Sequence, residues 1–536
     1  MKRMLSVFLA LLMLLSCGSA LTVFAQEDEN VCNCEHMPLI YIFGRQDIFD
    51  DPRAENRKVI SGYDSDWIKG LISESVKRNA AKLMLGSFDA FCDEIAAAFE
   101  EKYKDFVCKD DGSLPDNASG VEWTWSPETM RDDHRYDNVY SYVYIYDARK
   151  DPFEIADDLH AYIECVRRVT GHRRVAILSR CMGSEMALTY FEKYGWQDID
   201  TFFTYSSAAL GTTIFSELFS GKVRIDLASI NNFLDEKHRY DDPDAPPEED
   251  GTVDPETKAL LFAALELGQQ LGALGLPSKL SDLLMKRMWD DVLPRVLKAS
   301  FATSAGYWSM VAPQDFAEAK AFLFKNDAAR YAKLIEKIDA YDARVRRPMK
   351  DILTRMKNDG VKLCILAKYG FQIIPFTASA HAQSDDKITM AAQSFGATGA
   401  VYGETLSPLY IAARKRAGFG SSISPDKIID ASTAWFPEVT WFVKNIRHND
   451  FPGRIYDLVL RMTRADRQLT VNDDPEFPQF MTYFWENDVE YWVPMTAENM
   501  HTEYVHPDLR TAFRTFWEAL KAWIRHLLHR ESTVQS

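Results

Sequence analysis

RVAILSRCMGSEMALTYFEKYG, residues 174–195, changes its hydrophobic period partway through. Val175 to Leu178 is a short unbroken apolar run, which suits a strand covered on both faces. Ser179-Arg-Cys-Met-Gly183 interrupts it, and from Met182 to Tyr194 apolar residues recur at helical spacing. The segment predicts a strand, a sharp turn and a helix. At the tip of such an elbow the backbone is driven to φ > 0, so the residues two before and two after must be small; Ser179 and Gly183 meet that condition. The helix behind the tip aims its first N–H groups and the positive end of its dipole at Cys181, which favours a thiolate and then an oxyanion. The same letters also fit a plain strand–turn–helix junction in which Cys181 only packs.

Working outward, similar units repeat. Pro38 to Gly44 and Asn138 to Asp147 read as strands, and Asp151 to Thr170 as an amphipathic helix with Ile155, Leu159, Ile163 and Val166 on one face. Thr201 to Ser207 is the next strand. Strand-like segments return at Val361 to Gly370 and Val439 to Ile446, the latter followed by a helix from Ile455 to Met462. Strands alternating with helices predict an α/β fold, with a mostly parallel central sheet and helices on both faces. Between them, 221–357 is helix-rich, with the acidic Pro-rich loop Tyr240 to Gly251 and the apolar helical stretch Ala259 to Leu274, and reads as an inserted helical cap. The expected organisation is a leader at 1–25, core segments at 36–220 and 358–465 around a cap at 221–357, and an aromatic-rich extension at 466–536 ending in a helix from Asp508 to Leu528. No internal repeat is present.

Bulk properties narrow the function. The chain has 536 residues, 46% of them apolar and 12% aromatic, enough for a large core. A net charge of −17 argues against nucleic acid or an anionic membrane as principal partner, since phosphate contacts need clustered Lys and Arg. Lys2-Arg3, the apolar Met4 to Leu15 and the small-residue pattern Val23-Phe-Ala25 read as a secretory leader cleaved after Ala25. The competing reading is a lipoprotein signal around Cys17. No other segment has the ~18 uninterrupted apolar residues of a membrane span, so the expected location is outside the cell. Of eight cysteines, Cys17 leaves with the leader. Six of the remaining seven could pair, Cys92 with Cys108 among them, while Cys181 stays free. Cys32-Asn-Cys34 has metal-ligand chemistry, but no second pair stands at ligand spacing, so no metal and no cofactor are expected.

The order of elements around the elbow resembles the α/β-hydrolase superfamily, in particular lipases and acyltransferases of the lecithin:cholesterol acyltransferase type. The likeness rests on 146–195, Phe203 to Gly221, Ser304 to Pro313 and Lys368 to Phe376, and spans about residues 38 to 460. Two letters depart from the family's G-x-S-x-G: Cys181 for Ser, and Ser179 for the first Gly. Dienelactone hydrolases also carry Cys at this elbow.

The resemblance implies a chain order of nucleophile, acid, base. The base maps onto His448, directly after the strand Val439 to Ile446, with His501 as rival; His172, beside two arginines, reads as solvated. The acid maps onto Asp385 in Ser384 to Ala397, and Asp426 carries a similar pattern. The family's oxyanion loop corresponds to Phe43 to Asp47, so the backbone N–H groups of Arg45 and Met182 are the expected oxyanion donors. The expected activity is that of an esterase, lipase or acyltransferase using Cys181, His448 and Asp385 on a small-molecule or lipid ester or thioester, with an acyl pocket in the cap that includes Trp308. The alternative, motivated by the changed letters, is a secreted binding protein on a degenerate hydrolase fold.

Overall fold

The computed structural model describes residues 32, 34–45, 65–116, 125–126, 128–136, 138–223, 278–373, 379–486 and 489–500. The leader, Cys17, the acidic loop, the stretch Ala259 to Leu274, His501 and the C-terminal helix lie outside them.

β-Branched and aromatic runs form eight strands of one sheet: β1 (Leu39–Arg45), β2 (Tyr142–Asp147), β3 (Val175–Arg180), β4 (Ile199–Tyr205), β5 (Lys362–Tyr369), β6 (Thr440–Lys444), β7 (Phe480–Glu486) and β8 (Val489–Pro494). Their spatial order is β8-β7-β6-β5-β4-β3-β1-β2. Every neighbour pair is parallel except the β7–β8 hairpin. The protein is therefore an α/β protein built on a mostly parallel sheet. All eight residues of β5 and the first five of β3 are buried. Such strands need cover on both faces, which is why they read as continuous apolar runs rather than alternating ones.

The covering helices follow from local signals. α1 (Ser65–Met84) and α2 (Asp89–Lys102) pair with each other and with the helical stretch 278–298 around Ile72, Val76, Phe91 and Leu284, a small apolar cluster separate from the main core. α3 (Pro152–Thr170) starts on Asp151, whose carboxylate accepts from the Phe153 N–H at 3.0 Å, has Pro152 at its first position, and stops on Gly171 in the left-handed conformation. α4 (Gly183–Tyr194) packs on β1, β3 and α3. The helix Gly453–Arg464 lies against β4.

Two features redirect the sequence expectations. In the stretch read as a cap, the described helices Phe316–Phe324, Ala332–Tyr341 and Met349–Asn358 share the main core with the sheet. Trp308 is 1% exposed; it stacks on Phe324 and gives its indole N–H to the Ala302 carbonyl, so it is packing rather than pocket lining. In the stretch read as an extension, β7 and β8 continue the sheet beyond β6. No described helix is long and apolar enough to cross a membrane.

Candidate active site

The elbow forms as its letters require. Cys181 has φ +51° between β3 and α4. Its N–H donates to the Tyr205 carbonyl at 3.2 Å, and its own carbonyl accepts from Ser184 at 3.1 Å and Ala208 at 3.4 Å, so both flanks of the strained residue are fixed. A Cβ at position 183 would stand 2.7 Å from the Ile42 carbonyl oxygen of β1, which leaves only glycine there. Ser179, two residues before the tip, is buried, with its hydroxyl 3.0 Å from that of Ser184. Cys181 itself stays partly exposed.

His448 and Asp385 arrive from the ends of other strands. Asp385 lies in the loop after β5, and His448 in the turn between β6 and the helix Gly453–Arg464. His448 Nδ1 is 2.9 Å from Asp385 Oδ2, and the His448 N–H donates to the Asp385 carbonyl at 2.8 Å. The imidazole and the Cys181 sulfur are close enough for each to shift the other's titration. The three residues thus form one chain, sulfur to imidazole to carboxylate. Asp426 does not join it; its carboxylate takes the Tyr369 hydroxyl at 3.0 Å, the Ser424 hydroxyl at 2.6 Å and the Lys444 ammonium at 3.2 Å.

The electrostatics of the chain are consistent with an ion pair. Burial alone would raise the Cys181 thiol, but His448, Arg180 and the Met182 N–H outweigh it and hold the thiol below its ordinary range. Burial opposes the imidazolium of His448, while Asp385 and Cys181 raise it above the ordinary histidine value. Asp385 is buried, yet His448, Lys368 and the Ile388 N–H at 2.8 Å keep its carboxyl well below the usual range. Charge-assisted bonds of this kind are about twice as strong as neutral ones.

Two buried ionisable groups at the site carry no signal in the sequence reading. Lys368, on β5, is fully buried; its ammonium bonds the carbonyls of Arg447 and His448, the latter at 3.0 Å, and the Tyr205 hydroxyl at 3.1 Å, and lies 4.0 Å from Asp385. It ties the loop bearing the base to the loop bearing the acid. Desolvation brings it down to about 8 despite Asp385. Glu185, in the first turn of α4, is buried with neither carboxyl oxygen bonded, and desolvation and the Cys181 charge push it well above the usual carboxyl value. A lysine inside an apolar strand run and a glutamate in a helical pattern look like ordinary surface positions in sequence; only the packing distinguishes them.

Of the expected oxyanion donors, the Met182 N–H is among the groups that hold the Cys181 thiol down. Arg45 stands at the last position of β1, opposite Asp147 of β2, rather than in a loop. All seven cysteines among the described residues are free. The expected Cys92–Cys108 bridge does not form: Cys92 belongs to the α1–α2 cluster, and Cys108 bonds the Ser304 hydroxyl at 3.3 Å. His172, expected to be solvated, is 6% exposed. The sequence offered no second ligand pair for Cys32 and Cys34, yet the fold sets His134 and His172 beside them, the one group of described residues able to hold a metal ion.

The sequence matches no family model and no curated protein.

Proposed function

We propose that the protein is an α/β-hydrolase-like enzyme that transfers acyl groups through Cys181, acting as an esterase, lipase or acyltransferase on an ester or thioester of a small molecule or lipid. One observation carries the reading: His448 bonds Asp385 and sits beside a strained, partly exposed cysteine, near enough that imidazole and thiol shift each other's titration. A structural cysteine needs neither the positive φ nor the imidazole.

In this reading the Cys181 thiolate attacks the carbonyl carbon, and the carbonyl π pair moves to oxygen. The Met182 N–H, with that of Arg45 as expected second donor, donates to that oxyanion; removing one such donor costs about 3–4 kcal/mol in measured cases. As the tetrahedral species collapses, the bond to the leaving oxygen or sulfur breaks, and His448 gives that atom its proton. Water or an alcohol then attacks the thioester while His448 takes its proton, and the thiolate returns. Asp385 keeps the imidazole oriented with its other nitrogen towards sulfur throughout. The leader read from the sequence supports a setting for this chemistry outside the cytoplasm.

The test is turnover of a panel of short- and medium-chain p-nitrophenyl esters and thioesters. Cys181→Ala should lose at least about 1,000-fold in kcat/KM, with acyl-enzyme trapped on Cys181 of the parent protein. Unchanged turnover in both Cys181→Ala and Cys181→Ser would refute the mechanism. A parent protein that neither turns over nor becomes acylated would leave a ligand-binding protein on the same scaffold.

A further inference from the structure

At the end of β3 opposite Cys181, four side chains from three separate segments converge. Cys32 and Cys34 precede β1, His134 opens the 3-10 turn His134–Tyr136 before β2, and His172 lies in the connection from α3 to β3. The Cys34 sulfur is 3.2 Å from His134 Nε2 and 3.5 Å from His172 Nε2, and the Cys32 sulfur is 3.7 Å from His134 Nε2. All four donor atoms lie within 4.8 Å of one another. A tetrahedral zinc with Zn–S of ~2.3 Å and Zn–N of ~2.0 Å requires sulfur–nitrogen edges of about 3.5 Å. The three observed separations bracket that edge.

We propose that Cys32, Cys34, His134 and His172 bind one Zn²⁺ in a closed, four-coordinate structural site. Two thiolates and two imidazoles select zinc over magnesium or calcium, which take oxygen. The partner residues agree: Asp132 holds Nδ1 of His134, so Nε2 is left to face the metal, the carboxylate–histidine arrangement that supports zinc ligands. Both histidines are buried. With four protein donors no coordination position is left for substrate, so the ion's work is mechanical. It fastens the segment before β1, already bonded from the Cys32 N–H to the Gly171 carbonyl at 2.9 Å, to the segments that lead into β2 and β3. The six residues of β3, at ~3.3 Å each, put roughly 20 Å between this cluster and Cys181. The proposal is independent of the reading of Cys181.

Full-length processed protein, purified without chelator, should contain about one zinc per chain by plasma mass spectrometry. Chelation by a zinc-selective reagent should lower its Tm, and added zinc should restore it. Cobalt exchanged into the protein should give tetrahedral d–d bands and thiolate-to-cobalt charge transfer, both absent from Cys32→Ser/Cys34→Ser and retained in Cys181→Ser. Asp132→Ala should weaken zinc by roughly 10- to 100-fold. If the double cysteine variant fails to fold, the parent's zinc content and cobalt spectrum decide the matter. A zinc-free parent with no thiolate–cobalt band, a native Cys32–Cys34 disulfide, or metal lost from Cys181→Ser but kept in the double variant would each overturn the assignment.

Discussion

Cys181 and His448 lean on each other, and the direction of each shift has a measurable sign. A free cysteine thiol ionises near 8.5. In the folded protein burial would push Cys181 up, and His448 is the first of the groups that reverse this. Thiolate should therefore persist below the pH at which a free thiol is protonated. Removing the imidazole leaves burial less opposed, so the midpoint must move upward. Alkylation of Cys181 by iodoacetamide, followed against pH by peptide mass, should have its midpoint below that of a free thiol in the parent and higher in His448→Ala; superimposable profiles would show that the imidazole does not act on the sulfur. Because the two groups titrate together, the midpoint belongs to the pair rather than to either residue.

The strand–elbow–helix element shows why so much of the fold can be read from its letters. Gly183 sits at the first position of α4, where alanine would ordinarily gain up to ~1 kcal/mol over glycine. Here the added methyl meets the Ile42 backbone oxygen at 2.7 Å, and a β-strand backbone cannot yield as a side chain can. Gly183→Ala should lower stability by about 1–3 kcal/mol, as overpacking does, whereas Gly453→Ala, with open space around it, should be neutral or slightly stabilising; thermal unfolding of the two variants side by side checks the contrast. Period carried the reading of β1 to β6, α3 and α4, because each is a buried run or a clean amphipathic stripe. It failed for α1 and α2, which bury few residues against a cluster of their own and are weakly amphipathic. For the site, the elbow and the turn after β6 were legible from chain order. The decision between Asp385 and Asp426 was not, since both lie in acidic loops and only the fold shows which carboxylate reaches the imidazole. Nor were the neighbours of Cys32 and Cys34, because ligands about a hundred or more residues away leave no local spacing.

For the whole molecule, the sheet does not end at β6. β7 lies parallel to β6, Phe480 stacks on Phe442, and the Trp441 indole N–H reaches the Phe477 carbonyl at 2.9 Å. Gln468 also clasps both backbone groups of Leu363 on β5, at 2.7 and 2.8 Å. Cutting the chain after Ala465 should bare the apolar edge of β6, and bare edges invite association. The truncated protein should elute as aggregates on size exclusion or unfold well below the parent; a monomer with unchanged Tm would mean that these strands add nothing. The β3–β6 order has a different consequence for how the thiol comes to exist. Cys181 is made early in synthesis, but His448 and Asp385 emerge far later, and the three meet only once β4, β5 and β6 have zipped alongside β3. Until then the sulfur is an ordinary thiol, mostly protonated at neutral pH. On the proposed reading the lowered thiol is conferred by completing the sheet, so an unfinished or misfolded copy lacks it without any inhibitor.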